Sequence, residues 1–177
     1  PESVLNHFRN WFAAHALRSM QMQKELRRLI DLLTAEKITV IPIKGPTLAE
    51  EAYGDIALRS FNDLDLLVPP EQAREAVHII MAQGFQLDFE LPQARWGSLQ
   101  RADNHVYLEH SEKNCAVEVH WELFFPGYAL PFDLSAHWAA LEAGEEGRLT
   151  NEETLVMLCA HGARHLWYQL KWLTDID

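Results

Sequence analysis

The stretch Arg59-Ser60-Phe61-Asn62-Asp63-Leu64-Asp65-Leu66-Leu67-Val68 decides how this chain is read. Alternation in an extended segment puts Asp63 and Asp65 on one side and Leu64 and Leu66 on the other. Two like charges so close repel, which costs stability on an otherwise apolar strand. A hard divalent cation removes that cost, because Mg²⁺ takes oxygen ligands and is usually held by one or two carboxylates plus substrate phosphates. The pair therefore reads as one edge of a metal site. The blander alternative is an acidic strand end that pairs with Arg59 or a neighbouring lysine.

Working outward, the flanking pattern alternates between strands and helices. Upstream, Ile38-Thr-Val-Ile-Pro-Ile43 is short and β-branched, so a strand, with Pro42 near its end as strands require. Lys44-Gly45-Pro46 turns the chain into a helix, with Pro46 at a tolerant first position, and that helix runs from Thr47 to Tyr53 and stops at Gly54. Before it, residues 3–35 carry apolar residues at three- and four-residue steps, a long helix with a break allowed near Arg18–Gln23. Downstream, Pro70 and Glu71 open an amphipathic helix to Gln83, and Phe85–Glu90 and His105–Glu109 read as strands. The loop between them, Leu91 to Asp103, is the longest irregular piece. Cys115–Leu123 alternates best: Ala116, Glu118, His120 and Glu122 face one way, Val117, Val119, Trp121 and Leu123 the other. Beyond Pro131 the pattern is helical near Leu134–Leu141 and Glu152–Leu173, and Glu145-Glu146 between them reads as a solvated loop. The expectation is an α+β chain: a helical segment over 1–36, a mixed-sheet core over 37–130 and a helical segment over 131–177. The stop at Asp177 inside a helical pattern suggests a piece of something longer.

Three features along this layout point to one chemistry. At the strand-end turn Lys44-Gly45, glycine lets the backbone approach a phosphate, and the following helix N-terminus favours an anion. Asp63 and Asp65 are the second feature, and Glu118, a carboxylate on the face opposite the apolar residues of its strand, is the third. Carboxylates bridging metal ions are what in-line phosphoryl or nucleotidyl transfer needs: one ion lowers the pKa of the attacking hydroxyl and the other neutralises charge on the leaving pyrophosphate. Arg59 is either a partner of Asp63 or a contact for a triphosphate. His120, two residues beyond Glu118, is either a packed core histidine or a nucleotide contact. His161 and His165 stand at i and i+4, a zinc-capable spacing, but lack an intervening Glu and a clear third ligand.

Composition narrows the partners. The 177 residues, 48% hydrophobic, can bury a real core, and a formal net charge of −11 disfavours long nucleic acid as substrate. Two cysteines match no disulfide framework or zinc spacing, which fits a reducing cytoplasm. No apolar stretch reaches the roughly 18 residues of a membrane span.

In their order, Lys44 and Gly45, Tyr53, Arg59, Asp63 to Val68, Val117 to Trp121, His161-Gly162 and Leu170 to Leu173 resemble the uncharacterised bacterial nucleotidyltransferase family of the polymerase-β nucleotidyltransferase superfamily. The resemblance runs from about Ile38 to the C-terminus, and Lys-Gly stands where the superfamily usually has Gly-Ser. It implies a polymerase-β-like mixed sheet flanked by helices. It also implies Mg²⁺ (or Mn²⁺), a nucleoside triphosphate such as ATP, and an acceptor hydroxyl on a small molecule or a protein. Asp63, Asp65 and Glu118 carry over as catalytic metal ligands, with Glu118 also a candidate base, and Lys44, Gly45, Arg59 and His120 are assigned to the nucleotide and its phosphates. The competing expectations are a non-catalytic nucleotide-binding or scaffold module and a protein-modifying enzyme resembling toxin–antitoxin nucleotidyltransferases.

Overall fold

The computed structural model describes residues 2–128, 130, 132–144 and 147–176. Pro131, Asp177 and the Glu145-Glu146 pair, used above as a boundary, an end and a solvated loop, lie outside them. In chain order the elements are α1 (Glu2–Ala35), β1 (Ile41–Pro42), α2 (Gly45–Tyr53), β2 (Asp63–Leu67), α3 (Ala73–Met81) and β3 (Gln86–Leu87). They continue with α4 (Trp96–Ala102), β4 (His105–His110), β5 (Cys115–His120), α5 (Ser135–Glu142), α6 (Asn151–Arg164) and α7 (Leu170–Thr174). The strands form one five-stranded sheet in the order β1-β2-β5-β4-β3. β2 and β5 run parallel and the other pairs antiparallel, so the sheet is mixed and the chain α+β.

Each face of the sheet is buried differently. Leu64, Leu66, Val117 and Val119 pack with Leu26, Leu29 and Leu33 of α1 and Val77 and Ile80 of α3 in the larger core. A fully buried leucine is worth about 1.5–3 kcal/mol, so this face dominates the fold's stability. On the other face Leu67 joins Ile41, Ile43, Leu48 and, from α6, Met157 and Leu158 in a smaller cluster. The side of β2 that carries Asp63 and Asp65 thus turns apolar at Leu67. That switch confines the charge to one end of the sheet and brings α6 down beside it.

Several boundaries differ from the sequence expectation, each for a physical reason. β1 keeps only Ile41–Pro42 of the expected Ile38–Ile43, as an edge strand where the missing proline N–H costs no ladder bond. α1 runs unbroken through Arg18–Gln23, because Glu2–Ala35 contains neither Gly nor Pro to interrupt it. The expected loop at Leu91–Asp103 contains α4, which exists through tertiary packing: Trp96 is buried edge-on against Trp121, whose indole N–H donates to the Asp103 carbonyl at 2.9 Å. β3 shrinks to Gln86–Leu87 at the sheet's far edge. The expected helix at Glu152–Leu173 splits into α6 and α7, since Leu166 and Trp167 both adopt left-handed φ of 52°. Gly162 permits the break: the Trp167 amide donates to its carbonyl at 2.9 Å, and the indole fills the space a Cβ there would need.

Candidate active site

The register between two strands assembles the site. In the parallel β2–β5 ladder Asp65 stands opposite Glu118 and Leu67 opposite His120. The antiparallel β4 adds Tyr107 opposite Glu118 and His105 opposite His120. Directly opposed residues share a face, so alternation on three strands delivers Asp65, Glu118, His120 and His105 to one patch. Lys44 reaches it from the β1–α2 turn, which is tied to β2 by a hydrogen bond from the Ile43 amide to the Asp65 carbonyl (3.2 Å). Gly45 makes that approach possible: its φ is +58°, and a Cβ would sit 3.1 Å from the Asp63 carbonyl oxygen.

The side chains converge closely. Lys44 Nζ lies 2.5 Å from Asp65 Oδ1 and 4.0 Å from Glu118 Oε2. His120 Nε2 lies 3.2 Å from Asp65 Oδ1 and 3.1 Å from Glu118 Oε2. Ionised carboxylates only accept, so this nitrogen carries the proton and donates. His105 stacks on His120 with ring centroids 4.9 Å apart. Burial would push the Asp65 carboxyl upward, but Lys44 and His120 outweigh it and hold it well below the usual carboxylate range. Glu118 is lowered in the same way, its burial outweighed chiefly by the hydrogen bond from His120. His120 is raised despite its burial, because Asp65 and Glu118 both favour the imidazolium. Asp63 has no ion-pair partner among the described residues: burial, then Asp65 and Glu118, push it up to about 6 against the weaker pull of Lys44 and Lys171.

One ligand atom each from Asp65, Glu118 and His120 lies within 4.8 Å of the others, close enough to hold one cation. Two carboxylate oxygens and an imidazole nitrogen are a donor set for a divalent metal, once His120 gives up the Nε2 proton and Lys44 swings aside. Asp63, on the same strand face but nearer its start, is outside this tight group. A cavity of about 280 Å³ opens from the cluster towards α7, lined by Lys44, Gly45, Asp63, Asp65, Glu118 and Lys171 among others. A model of an uncharacterised nucleotidyltransferase family matches residues 1–177. This chain belongs to that family. The match takes in α1, beyond the span from Ile38 on which the resemblance rested. No curated protein and no solved structure matches significantly.

Within this nucleotidyltransferase-family chain, Arg59 lines the same cavity, but its guanidinium is engaged elsewhere. Nε donates to Asp175 Oδ1 at 2.7 Å and Nη2 to Oδ2 at 2.8 Å, both residues buried, and the Tyr53 hydroxyl donates to the same carboxylate at 2.8 Å. The partner is therefore Asp175, not Asp63. Sequence reasoning left four contributors without a role in the site. His161 and His165, set aside as a weak zinc pair, line the cavity beside Lys44 and Glu118. Burial, then Lys44 and His165, push His161 down to about 3, so it is neutral there. Lys171 stands at the cavity wall, its pKa lowered by burial and then by Arg59. His105 carried a readable signal, since it begins an alternating strand and shares with Tyr107 the half-buried face opposite its apolar residues. His161 and Lys171 stood in the family pattern, and His161 with His165 in a zinc-capable spacing, but nothing local showed that α6 and α7 bring them to this cavity.

Proposed function

We propose that this chain transfers a nucleoside monophosphate from a nucleoside triphosphate, ATP among them, to a hydroxyl group, with Mg²⁺ or Mn²⁺ as cofactor. The observation that carries this reading is the placement of Asp65 beside Glu118 in register, with Lys44 and His120 converging on both, at the head of a cavity floored by the Gly45 turn. Asp65, Glu118 and His120, joined by Asp63 from the same strand face, would hold the cation; bound there, it supplies charge neutralisation for phosphate oxygens. Glu118 takes the proton of the acceptor hydroxyl. The acceptor oxygen bonds to the α-phosphorus as the bond to the bridging oxygen breaks, and pyrophosphate leaves with that electron pair. Lys44, Lys171 and the Gly45 backbone bind and orient the phosphates, and Arg59 supports them from its clamp on Asp175. Neutral His161 narrows the cavity without adding charge.

A small acceptor fits better than nucleic acid, because a net charge of −11 repels polyanions. Cys115 and Cys159 are free, and we place the protein in a reducing cytoplasm. No described helix is long and apolar enough to cross a membrane. One contact favours a second reading, a nucleotide-binding module without turnover: the Lys44 ammonium already lies against Asp65 where a cation would bind. Thermal melts with Mn²⁺, ATP and both together, followed by incubation with α-labelled triphosphate, separate the two. Transfer predicts a melting shift that needs ATP and metal together, plus label in a product. A shift without label leaves the module, and no shift with any triphosphate sinks both.

A further inference from the structure

Glu118 faces two cavities. The one described above runs towards the Gly45 turn and Lys171 and has the chemistry of a phosphate site. The second, of about 140 Å³, lies on the other side, over the ends of β4 and β5, and shares Lys44, Glu118, His161 and His165 with the first. Its remaining wall is different: Phe124, Phe125 and Tyr128 supply aromatic surface, and Asn104, His105 and Arg164 supply polar groups. We propose that this second cavity receives the acceptor, and that the acceptor is a compact single-ring hydroxyl compound carrying an acidic group. The proposal rests on the nucleotidyl-transfer reading, because Glu118 must reach the phosphate site and the hydroxyl at once, and it lines both cavities.

Size, surface and charge each contribute. A dry engineered cavity of about 150 Å³ takes one benzene ring, so this volume suits one ring rather than a polymer or an oligosaccharide. Aromatic walls favour a flat face or the apolar side of a sugar ring. Glu118 is the sole carboxylate of the lining, against Lys44 and Arg164. That is an acid-poor pocket in a chain with 26 Asp and Glu against 15 Lys and Arg. Lys44 is engaged by Asp65, whereas the Arg164 guanidinium lies 4.9 Å over the Phe125 ring. Among the described residues Arg164 has no carboxylate partner. A guanidinium held by a ring and free of ion pairs is suited to an acidic group on the ligand. An amine-bearing acceptor meets two cations and no free carboxylate beyond the one proposed as the base.

Three compounds that share a ring and differ in charge test this: 4-hydroxybenzoate, 4-hydroxybenzyl alcohol and tyramine. Each is titrated against the whole chain by ligand-observed NMR, with and without ATP and Mn²⁺. The expected order is 4-hydroxybenzoate tightest and tyramine weakest. Arg164→Gln should weaken 4-hydroxybenzoate by about tenfold, the loss of one charge-assisted hydrogen bond, and leave the neutral alcohol unchanged. Arg164→Lys should keep the preference for the acid, and Phe125→Ala should weaken all three compounds. Tyramine binding as tightly as the acid, or an acid preference that survives Arg164→Gln, would overturn the proposal. Binding of ATP with Mn²⁺, read separately from the melting shift, divides the failures. If ATP binds and no ring compound does, the acceptor cavity is wrong and the transfer reading stands. If the ring compounds bind in the expected order and no triphosphate binds, the transfer reading falls and takes the acceptor role with it.

Discussion

Two ionic clusters are buried on the same side of this sheet, and they are built to opposite rules. In the first, Arg59 grips Asp175 through two nitrogens while Tyr53 donates to the same carboxylate, so the charges match. In the second, Asp63, Asp65 and Glu118 face one ammonium and the imidazoles of His120 and His105, and among the described residues Asp63 has no cation in contact. The matched cluster pins α7, through Asp175 just past its end, against the segment that leads into β2. The unmatched one has negative charge to spare. A fold tolerates such a surplus when a ligand cation answers it, and this separates the residue that holds the cavity wall from those that use the cavity.

The comparison can be broken by substitutions that treat the clusters as equivalent. Arg59→Met leaves Asp175 buried without its cation and should cost about 3–5 kcal/mol in denaturant unfolding. A loss under about 1 kcal/mol would show that the pair is not a clamp. Asp65→Asn should reduce transfer of label from α-labelled ATP by about 10²–10³-fold, the scale of removing one preorganised electrostatic group, and lower the melting temperature far less than Arg59→Met does. If the two variants lose stability equally, the second cluster is structural too. Gly45→Ala forces a Cβ into a left-handed backbone beside the Asp63 carbonyl and should cost about 1–2 kcal/mol, with a weaker ATP-dependent melting shift.

The smallest effect concerns pH. The folded Asp63 carboxyl titrates near 6, above the roughly 3.9 of an unfolded aspartate. Between those values the folded state binds more protons. Its contribution to stability is therefore complete below about 4 and is lost as pH rises through about 6. Chelator-treated wild type should lose roughly 1 kcal/mol relative to Asp63→Asn across that window, after allowance for solvent screening, in denaturant melts at stepped pH. Mn²⁺ should pull the wild-type transition to lower pH, because a cation favours the ionised carboxyl. Parallel curves for the two proteins would mean that Asp63 does not sense the surplus.

How much of this was legible in the sequence follows from the range of the interactions. Alternation in Asp63–Leu67 and Cys115–His120 shows which side chains share a face, so the α+β layout and the acidic strand side could be read directly. Which residue of one strand stands opposite which of another could not, and the Asp65–Glu118 juxtaposition depends on that register. Arg59 illustrates the same limit: Asp63 lies only four positions away, yet its partner lies 116 positions away. α4 lacks a strong local pattern and forms because Trp96 meets Trp121. His120 was ambiguous for a concrete reason: one histidine on an inward face packs or binds according to what lies across the ladder, and across the ladder lies Asp65's strand.

Lys44 has a consequence for the protein's life without metal. A carboxylate cluster that needs a cation to be tolerated usually makes the whole fold hostage to ion supply, as in small domains that unravel when chelated. Here the chain brings its own ammonium to Asp65. Synthesis and maturation can then run to completion in a cell short of divalent ions, and the product waits folded and idle. On the proposed function, ion scarcity would silence transfer without creating misfolded chains, and resupply would restore it at the speed of binding, not of refolding.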